Sequence, residues 1–164
     1  MTTTTRQEYD LLGHRDVPAD AYYGIQTLRA FENFTVSGVR LHQFSTFIRA
    51  FATVKKAAAI ANNKVGVLNN TVKDAIVTAC DDLIADKYHD QFIVDMFQGG
   101  AGTSTNMNVN EVIANRALEI LGYEKGQYQH VHPNNHVNLS QSTNDAYPTA
   151  LNVALDDYCT HLLE

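Results

Sequence analysis

The sequence has no tryptophan, only three prolines and nine glycines, and charged side chains on only 18% of its 164 residues. The scarcity of proline and glycine excludes collagen-like and linker compositions. No segment approaches the roughly 18 consecutive apolar residues that a membrane-spanning helix requires. Hydrophobic residues make up 45% of the chain, which is close to the globular average. We therefore expect a globular chain with about one domain's worth of residues and no membrane contact.

Basic residues are also few, since 12 Lys and Arg stand against 18 Asp and Glu and give a net charge of −6. Nucleic-acid phosphates are bound by clustered Lys and Arg side chains. The only adjacent basic pair in the sequence is Lys55-Lys56, which we interpret as part of a solvated helix face. The composition therefore predicts no nucleic-acid partner.

Cysteine is rare as well, and the first residues contain no apolar signal segment. Cys80 and Cys159 form no Cys-x-x-Cys pair, which fits a reducing compartment better than a disulfide framework. We expect both thiols to be free and the protein to be cytoplasmic.

Apolar residues recur at helical spacing along most of the chain, and polar loops separate the helical segments. The predicted helices cover residues 21–33, 45–64 and about 69–84, a segment that ends at a Gly122 cap, and a last segment that residues 140–145 open. Ser45 and either Asn69 or Asn70 are predicted N-terminal caps. Residues 10–20 are predicted to be turn-rich, and strand patterns are scarce. The sequence therefore predicts a mainly α fold.

The last predicted helix reaches Glu164 without a glycine, a proline or a break in its apolar periodicity. We therefore expect the chain to be truncated, and we expect the apolar stripe of this helix to need a partner surface.

Two polar clusters share the tripeptide Ser-Thr-Asn, and each precedes a predicted helix. Ser104-Thr105-Asn106 follows the glycine-rich segment, residues 98–103, which contains Gly99, Gly100 and Gly102. Ser142-Thr143-Asn144 opens the last helix. Hydroxyls, carboxamides and free N–H groups at a helix start form a neutral, donor-rich pocket that suits a carboxylate or a phosphate. The alternative is that these residues only cap their helices, which is their most common role.

Other catalytic and cofactor signatures are missing from the sequence. There is no G-x-x-x-x-G-K-[ST], no G-x-G-x-x-G and no G-x-S-x-G, so we expect neither a nucleotide loop nor a serine hydrolase. His130, His132 and His136 have no carboxylate or cysteine nearby in the chain, and we expect loop or polar-core roles for them rather than a metal site. Arg15 or Arg29 could meet an anion. The remaining carboxylate candidates are predicted to be solvated on helix faces: Asp81, Asp82, Glu111, Glu119, Asp156 and Asp157.

The two polar clusters, taken together with their flanks, resemble the fumarase/aspartase superfamily. The resemblance rests on Gln98-Gly99-Gly100-Ala101-Gly102-Thr103-Ser104 and on Ser142-Thr143-Asn144-Asp145. It extends to residues 10–13, 17–24 and 55–58. Both motifs have the form typical of the ammonia-lyase branch, whereas class II fumarases have Gln-Thr-Gly-Ser-Gly-Thr and Ser-Ser-Asn-Asp in these places.

The resemblance implies a fold, a reaction and an assembly. Residues 1–141 would form the N-terminal helical domain, and residues 142–164 would begin the first long helix of a central bundle. The implied reaction is the reversible elimination of ammonia from L-aspartate to give fumarate, without a bound organic cofactor, in a homotetramer. Thr103, Ser142 and Thr143 would hydrogen-bond the β-carboxylate, and Asn144 would hold the amino group.

The resemblance also implies that the general base is a serine on a Gly-Ser-Ser loop, which this sequence does not contain. We therefore expect no turnover by these 164 residues alone. Two alternatives remain, namely a class II fumarase that acts on malate and a non-catalytic helical interaction module. Residues 132–135 resemble a secondary anion site of fumarases, but Gln129 and Asn135 depart from that pattern, so we assign no ligand there.

Overall fold

The computed structural model describes residues 4–163, and helices dominate this part of the chain. The elements in chain order are β1 Thr5–Asp10, β2 Gly13–Pro18, α1 Ile25–Asn33, α2 Ser45–Lys64, α3 Asn70–Ile84, α4 Thr103–Ile120 and α5 Thr143–Leu163. Short 3₁₀ turns at Leu41–Gln43 and His89–Gln91 and a π-helical turn at Pro133–Val137 connect them. The predicted mainly α fold class is confirmed.

Helix α4 lies at the centre of the fold and is buried on nearly all sides. It packs against α1, α3 and α5, and its apolar residues Val112, Ile113 and Leu118 are fully buried. Its C-terminus is closed by Gly122, which has a φ of +80°. The N–H groups of Gly122 and Tyr123 donate to carbonyls of the last turn, as in a Schellman motif. The predicted cap at Gly122 is therefore confirmed.

The N-terminal hairpin was not predicted from the sequence. Strands β1 and β2 pair antiparallel from Thr5↔Pro18 to Asp10↔Gly13, and Leu11 and Leu12 form the two-residue loop. The prediction of turns at residues 10–20 is therefore wrong for residues 13–18. The prediction fails because the only fully buried residues of β1 and β2 are Glu8 and Val17. The two strands therefore lack the alternation of apolar residues that marks a half-buried strand.

Helix α1 begins at Ile25, four residues later than predicted, because a buried carboxylate caps it. Glu111 on α4 accepts hydrogen bonds from the backbone N–H groups of Gly24, Gln26 and Thr27 at 2.8–3.0 Å. The prediction that Glu111 is solvated is wrong, since its side chain is 1% exposed. A Cβ on Gly24 would lie 2.9 Å from Cδ of Glu111, so glycine permits this close approach.

Burial raises the pKa of the Glu111 carboxyl to about 7, while its hydrogen bonds act in the opposite direction. The other carboxylates predicted to be solvated are exposed, except that Asp82 is partly buried beside Arg116 and Lys87.

Helix α3 begins as the sequence predicts. Val72, Ala75, Ile76, Ala79 and Leu83 form its buried stripe. The Asn69 side chain accepts a hydrogen bond from the Val72 N–H at 2.9 Å. The predicted cap at Asn69 is therefore confirmed.

Replacing Asn69 by alanine is expected to lower the free energy of unfolding by about 1 kcal/mol, because one N–H of the first turn loses its acceptor. Asn69→Asp keeps an acceptor in the same place and serves as the matched control. Urea unfolding of the three proteins measures the difference. Equal losses in both variants would show that the cap hydrogen bond is not the cause.

Helix α5 packs against α2 through the buried residues Ala146, Ala150 and Ala154. Its other face exposes Leu155, Tyr158 and Leu162. The expected unpartnered apolar stripe is therefore present. The division of the chain at residues 141 and 142 stays a prediction. Within residues 4–163, no helix is both long and apolar enough to cross a membrane.

Candidate functional site

The glycine-rich segment is held against the start of α4. Gln98 accepts a hydrogen bond from the Thr105 N–H and donates to Thr105 Oγ1, both at 2.8 Å. Gly102 precedes the helix with a φ of +89°, and a Cβ at this position would lie 2.2 Å from the Tyr147 ring. The turn into α4 therefore requires glycine for its backbone conformation and for its contact with α5.

Asp95 anchors the chain just before this segment. Its carboxylate is 1% exposed and accepts hydrogen bonds from the Ser37 hydroxyl and from the N–H groups of Ser37, Gly38 and Phe97. The Ser37 hydroxyl and these backbone donors hold the pKa of the Asp95 carboxyl well below its usual range. The negative charge of Asp95 therefore ties the loop after α1 to the approach of the glycine-rich segment.

At the start of α5, the hydroxyl oxygens of Ser142 and Thr143 accept hydrogen bonds within the protein, while their hydrogens remain available for donation to a ligand. Ser142 Oγ accepts from the Asn144 N–H at 3.1 Å, and Asp145 Oδ1 accepts from the Ser142 N–H at 2.9 Å. Thr143 Oγ1 accepts from Asn106 Nδ2 at 3.1 Å. Each hydroxyl oxygen is used as an acceptor, and a hydroxyl also carries one donor hydrogen. Ser142 therefore caps its helix, and this role is compatible with donation to a ligand.

A buried lysine joins the first polar cluster to the loop before α5. Lys55 Nζ lies 2.8 Å from both Asn106 Oδ1 and Asn138 Oδ1. The prediction that the Lys55-Lys56 pair is solvated is wrong for Lys55, which is 0% exposed. Lys56 pairs with the exposed Asp81. The helical spacing does indicate this burial. Lys55 lies on the same face of α2 as the buried residues Ile48, Phe51 and Ala59, which precede and follow it at intervals of three or four residues.

Burial lowers the pKa of the Lys55 ammonium from 10.5 to about 7, against weaker opposing contributions from Cys80 and Asp145. The unfolded chain keeps this proton throughout the range between these two values, so protonation favours unfolding there. Relative to a Lys55→Met variant, we expect the free energy of unfolding to rise by about 2 kcal/mol from pH 7 to pH 9. Urea unfolding at both pH values measures it, and parallel pH profiles for the two proteins would contradict it.

The predicted substrate-binding residues lie around the starts of α4 and α5 but not in a single cleft. Asn144 lines a cleft of about 530 Å³ together with Gly100, Gly102 and Tyr147. Thr103 lines another cleft, of about 520 Å³. The hydrogen bond between Asn106 and Thr143 joins the two helix starts directly. The structure therefore brings Thr143 to the first cluster. Thr103 and Asn144 line adjoining clefts, since Gly102, the chain neighbour of Thr103, lines the same cleft as Asn144.

Basic side chains near Thr103 already have acidic partners. Arg15 and Arg29 line the same cleft as Thr103. Arg29 donates to both carboxylate oxygens of Asp10, at 2.7 and 2.9 Å, and Arg15 lies 3.6 Å from Glu32. Arg29 therefore serves the hairpin and α1, and its positive charge is largely balanced.

The three histidines support the loop before α5. His132 Nδ1 accepts from the N–H groups of Asn134 and Asn135, and His136 Nδ1 accepts from the His132 N–H. Burial lowers the pKa of both His132 and His136. His130 stacks on Tyr123 at 3.8 Å between ring centroids. In the described part of the chain, no group of three or more His, Cys, Asp or Glu side chains is placed to hold a metal ion.

Comparisons with known proteins agree on one family. A family model described as a lyase matches residues 13–164. The aspartate ammonia-lyase of Helicobacter pylori (strain J99) is 58% identical over 158 residues, which are 96% of this chain and 34% of that protein. The chain therefore spans about a third of the length of the curated relatives that it matches.

Two solved structures share the fold. The native form of a fumarate lyase:delta crystallin from Brucella melitensis is 62% identical, with a TM-score of 0.91 over 92% of this chain and 34% of that chain. The recombinant class II fumarase from Schistosoma mansoni is 39% identical, with a TM-score of 0.86 over 93% of this chain and 32% of that chain.

Proposed function

Because the chain belongs to the lyase family whose model covers residues 13–164, we propose that it is the N-terminal part of an aspartate ammonia-lyase. The proposed reaction is the reversible elimination of ammonia from L-aspartate to give fumarate. The 58% identity to an aspartate ammonia-lyase, against 39% to a class II fumarase structure, favours ammonia over water as the leaving group.

The chemistry explains why a neutral pocket of hydrogen-bond donors is useful. A base removes the proton from the carbon next to the β-carboxylate, and negative charge then builds on that carboxylate as an enediolate. The C–N bond breaks, its electron pair leaves with ammonia, and a carbon–carbon double bond forms. Donors aimed at the carboxylate oxygens bind more strongly as this charge develops, so they stabilise the transition state more than the ground state.

One observation carries the proposal: the hydroxyl oxygens of Ser142 and Thr143 already accept hydrogen bonds from Asn144 N–H and Asn106 Nδ2. Their hydrogens are therefore free to be donated to a carboxylate. In the proposed site Thr103 adds a third donor from the start of α4. Asn144, at the start of α5, holds the amino group through its carboxamide oxygen.

The proposal extends to the whole protein. It includes a homotetramer in the cytoplasm, without an organic cofactor. The exposed apolar face of α5, formed by Leu155, Tyr158 and Leu162, supports a further packing surface. The free thiols of Cys80 and Cys159 agree with a reducing compartment. Residues 1–164 alone are proposed to be inactive because the serine of the general base lies outside this sequence.

An assay of the full-length protein tests this function. Incubation with L-aspartate is expected to release ammonia and fumarate in equal amounts, and incubation with L-malate is expected to give no fumarate. Conversion of malate alone would replace the proposal with a class II fumarase. Conversion of neither substrate by a folded protein would favour the interaction module. Ammonia release by residues 1–164 alone would contradict the proposed need for a downstream base.

A further inference from the structure

We propose that Lys55 is a positioning residue of the substrate pocket, which acts through Asn106 to direct the Thr143 hydroxyl hydrogen toward the substrate carboxylate. This inference rests on the function proposed above. It assigns a role to a side chain that lies on α2, outside both polar clusters.

The three residues form a continuous chain of hydrogen bonds across three helices. Lys55 Nζ on α2 donates to Asn106 Oδ1 on α4 at 2.8 Å. At the other end of the same carboxamide, Asn106 Nδ2 donates to Thr143 Oγ1 on α5 at 3.1 Å. A donor on the oxygen of an amide polarises the group and strengthens its N–H donors. Asn106 Nδ2 also donates to Asn138 Oδ1 at 3.0 Å. Lys55, which donates to both Asn106 Oδ1 and Asn138 Oδ1, therefore helps to fix which way the Asn106 amide faces and strengthens its bond to Thr143.

The direction of the amide decides what the threonine can do. A threonine hydroxyl has one hydrogen to donate and can accept through its oxygen. While Asn106 donates to Thr143 Oγ1, the hydroxyl hydrogen must point elsewhere. If the Asn106 amide were reversed, its oxygen would face Thr143 and take that hydrogen. The substrate carboxylate would then lose a donor.

The burial of Lys55 argues against a purely structural role. Its side chain is 0% exposed, and its hydrogen-bond acceptors are amide oxygens of Asn106 and Asn138 rather than carboxylates. Burying an ammonium without an opposite charge is costly, and an apolar side chain of similar length would fill the space on α2 at less cost. The position of Lys55 is explained if Nζ, which donates to Asn106 Oδ1, orients the amide that faces Thr143.

Asn62 provides a matched structural control on the same helix. It is 6% exposed, and its Nδ2 donates to the Leu139 carbonyl at 2.8 Å. Like Lys55, it ties α2 to the loop before α5, but its hydrogen bond does not lead to Thr143. Removing this hydrogen bond therefore measures how kcat and stability change when the contact between α2 and this loop is weakened without any effect on Thr143.

A double-mutant cycle in the full-length protein tests the inference. The variants are Lys55→Met, Thr143→Val and their combination, with folding checked by circular dichroism and size exclusion. We expect Lys55→Met to lower kcat by roughly 10–100-fold with little change in KM, because the donor matters most when charge builds on the carboxylate. In the Thr143→Val background the same change is expected to cost less than about 2-fold. Asn62→Ala is expected to lose stability and keep kcat within about 2-fold.

Losses that multiply in the double variant would overturn the inference, because Lys55 would then act independently of Thr143. If Lys55→Met does not fold, Asn106→Asp replaces it in the cycle. Its carboxylate keeps the bond to Lys55 but accepts from Thr143 instead of donating to it. Its loss of kcat is expected to disappear in the Thr143→Val background, and a persistent loss would overturn the inference.

The assay of the wild-type protein separates this inference from the proposed function. If the wild type converts L-malate instead of L-aspartate, the function fails and the same cycle is measured with malate. If it converts neither, the cycle is measured on the free energy of urea unfolding, where coupling between Lys55 and Thr143 reports the hydrogen-bond chain through Asn106. Coupling between Lys55 and Thr143 supports the inference in each case, and additivity overturns it.

Discussion

Replacing Ser142 by alanine in the full-length protein is expected to lower kcat with L-aspartate by about 10²–10³-fold. The Ser142 hydroxyl oxygen accepts from the Asn144 N–H. In the proposed site, its hydrogen is donated to the β-carboxylate as negative charge builds on that group. Thr103→Ala removes another proposed donor, from the start of α4, and is expected to have an effect of similar size. Steady-state kinetics of ammonia release measure both variants.

Ser142 also caps α5, so its two roles have to be separated. Ser142→Thr keeps the cap and the hydroxyl, and it is expected to stay active. Ser142→Asp keeps a capping oxygen without the donor hydrogen, and it is expected to remain folded while losing kcat. An active Ser142→Asp variant would mean that Ser142 only caps its helix. Unchanged kcat in Thr103→Ala would remove Thr103 from the proposed site.

Local patterns predicted several parts of the fold that local interactions determine. The predicted cap at Ser45 is wrong, because Ser45 is the first residue of α2, Phe44 precedes it at the cap position, and no side chain caps this helix. The buried stripe of α3 and the cap at Asn69 depend on residues within one helix, and both are present. The hairpin was missed because its buried residues, Glu8 and Val17, do not form an apolar alternation. Glu8 is buried because its carboxylate accepts the Ile25 N–H, a contact between elements that periodicity does not encode.

The same distinction applies to the candidate site. The Ser-Thr-Asn tripeptides marked two helix starts, and the structure joins them through Asn106 and Thr143. Lys55 and Glu111 were predicted to be solvated, yet both are buried with partners more than 80 residues away, Asn138 and Gly24. A buried charge is stable only with polar partners, and these partners come together only in the folded chain. The tripeptides therefore indicated the regions where α4 and α5 begin, and the sequence patterns did not reveal the residues that support these helix starts.

Replacing Gly102 by alanine is expected to lower the free energy of unfolding by about 2–5 kcal/mol, and this is the largest stability effect expected for the site. Alanine at a φ of +89° has an unfavourable backbone conformation, which costs about 1–2 kcal/mol. In addition, its Cβ would lie 2.2 Å from the Tyr147 ring. That ring packs against Phe47 and Phe51 of α2, so it has little room to move, and overpacking of this kind costs about 1–3 kcal/mol.

Gly66→Ala is the matched control for the backbone effect. Gly66 has a φ of +82°, and a Cβ there would meet no atom within 4 Å, so this variant is expected to lose only about 1–2 kcal/mol. Adding Tyr147→Ala to Gly102→Ala removes the clash, and the double variant is expected to be more stable than the sum of the two single losses predicts. Additive losses in urea unfolding would show that Gly102 is required for its backbone conformation alone. A positive coupling would show that α5 can approach the glycine-rich segment only because Gly102 has no side chain. The contact between Gly102 and Tyr147, which holds the starts of α4 and α5 together, would then also depend on this glycine.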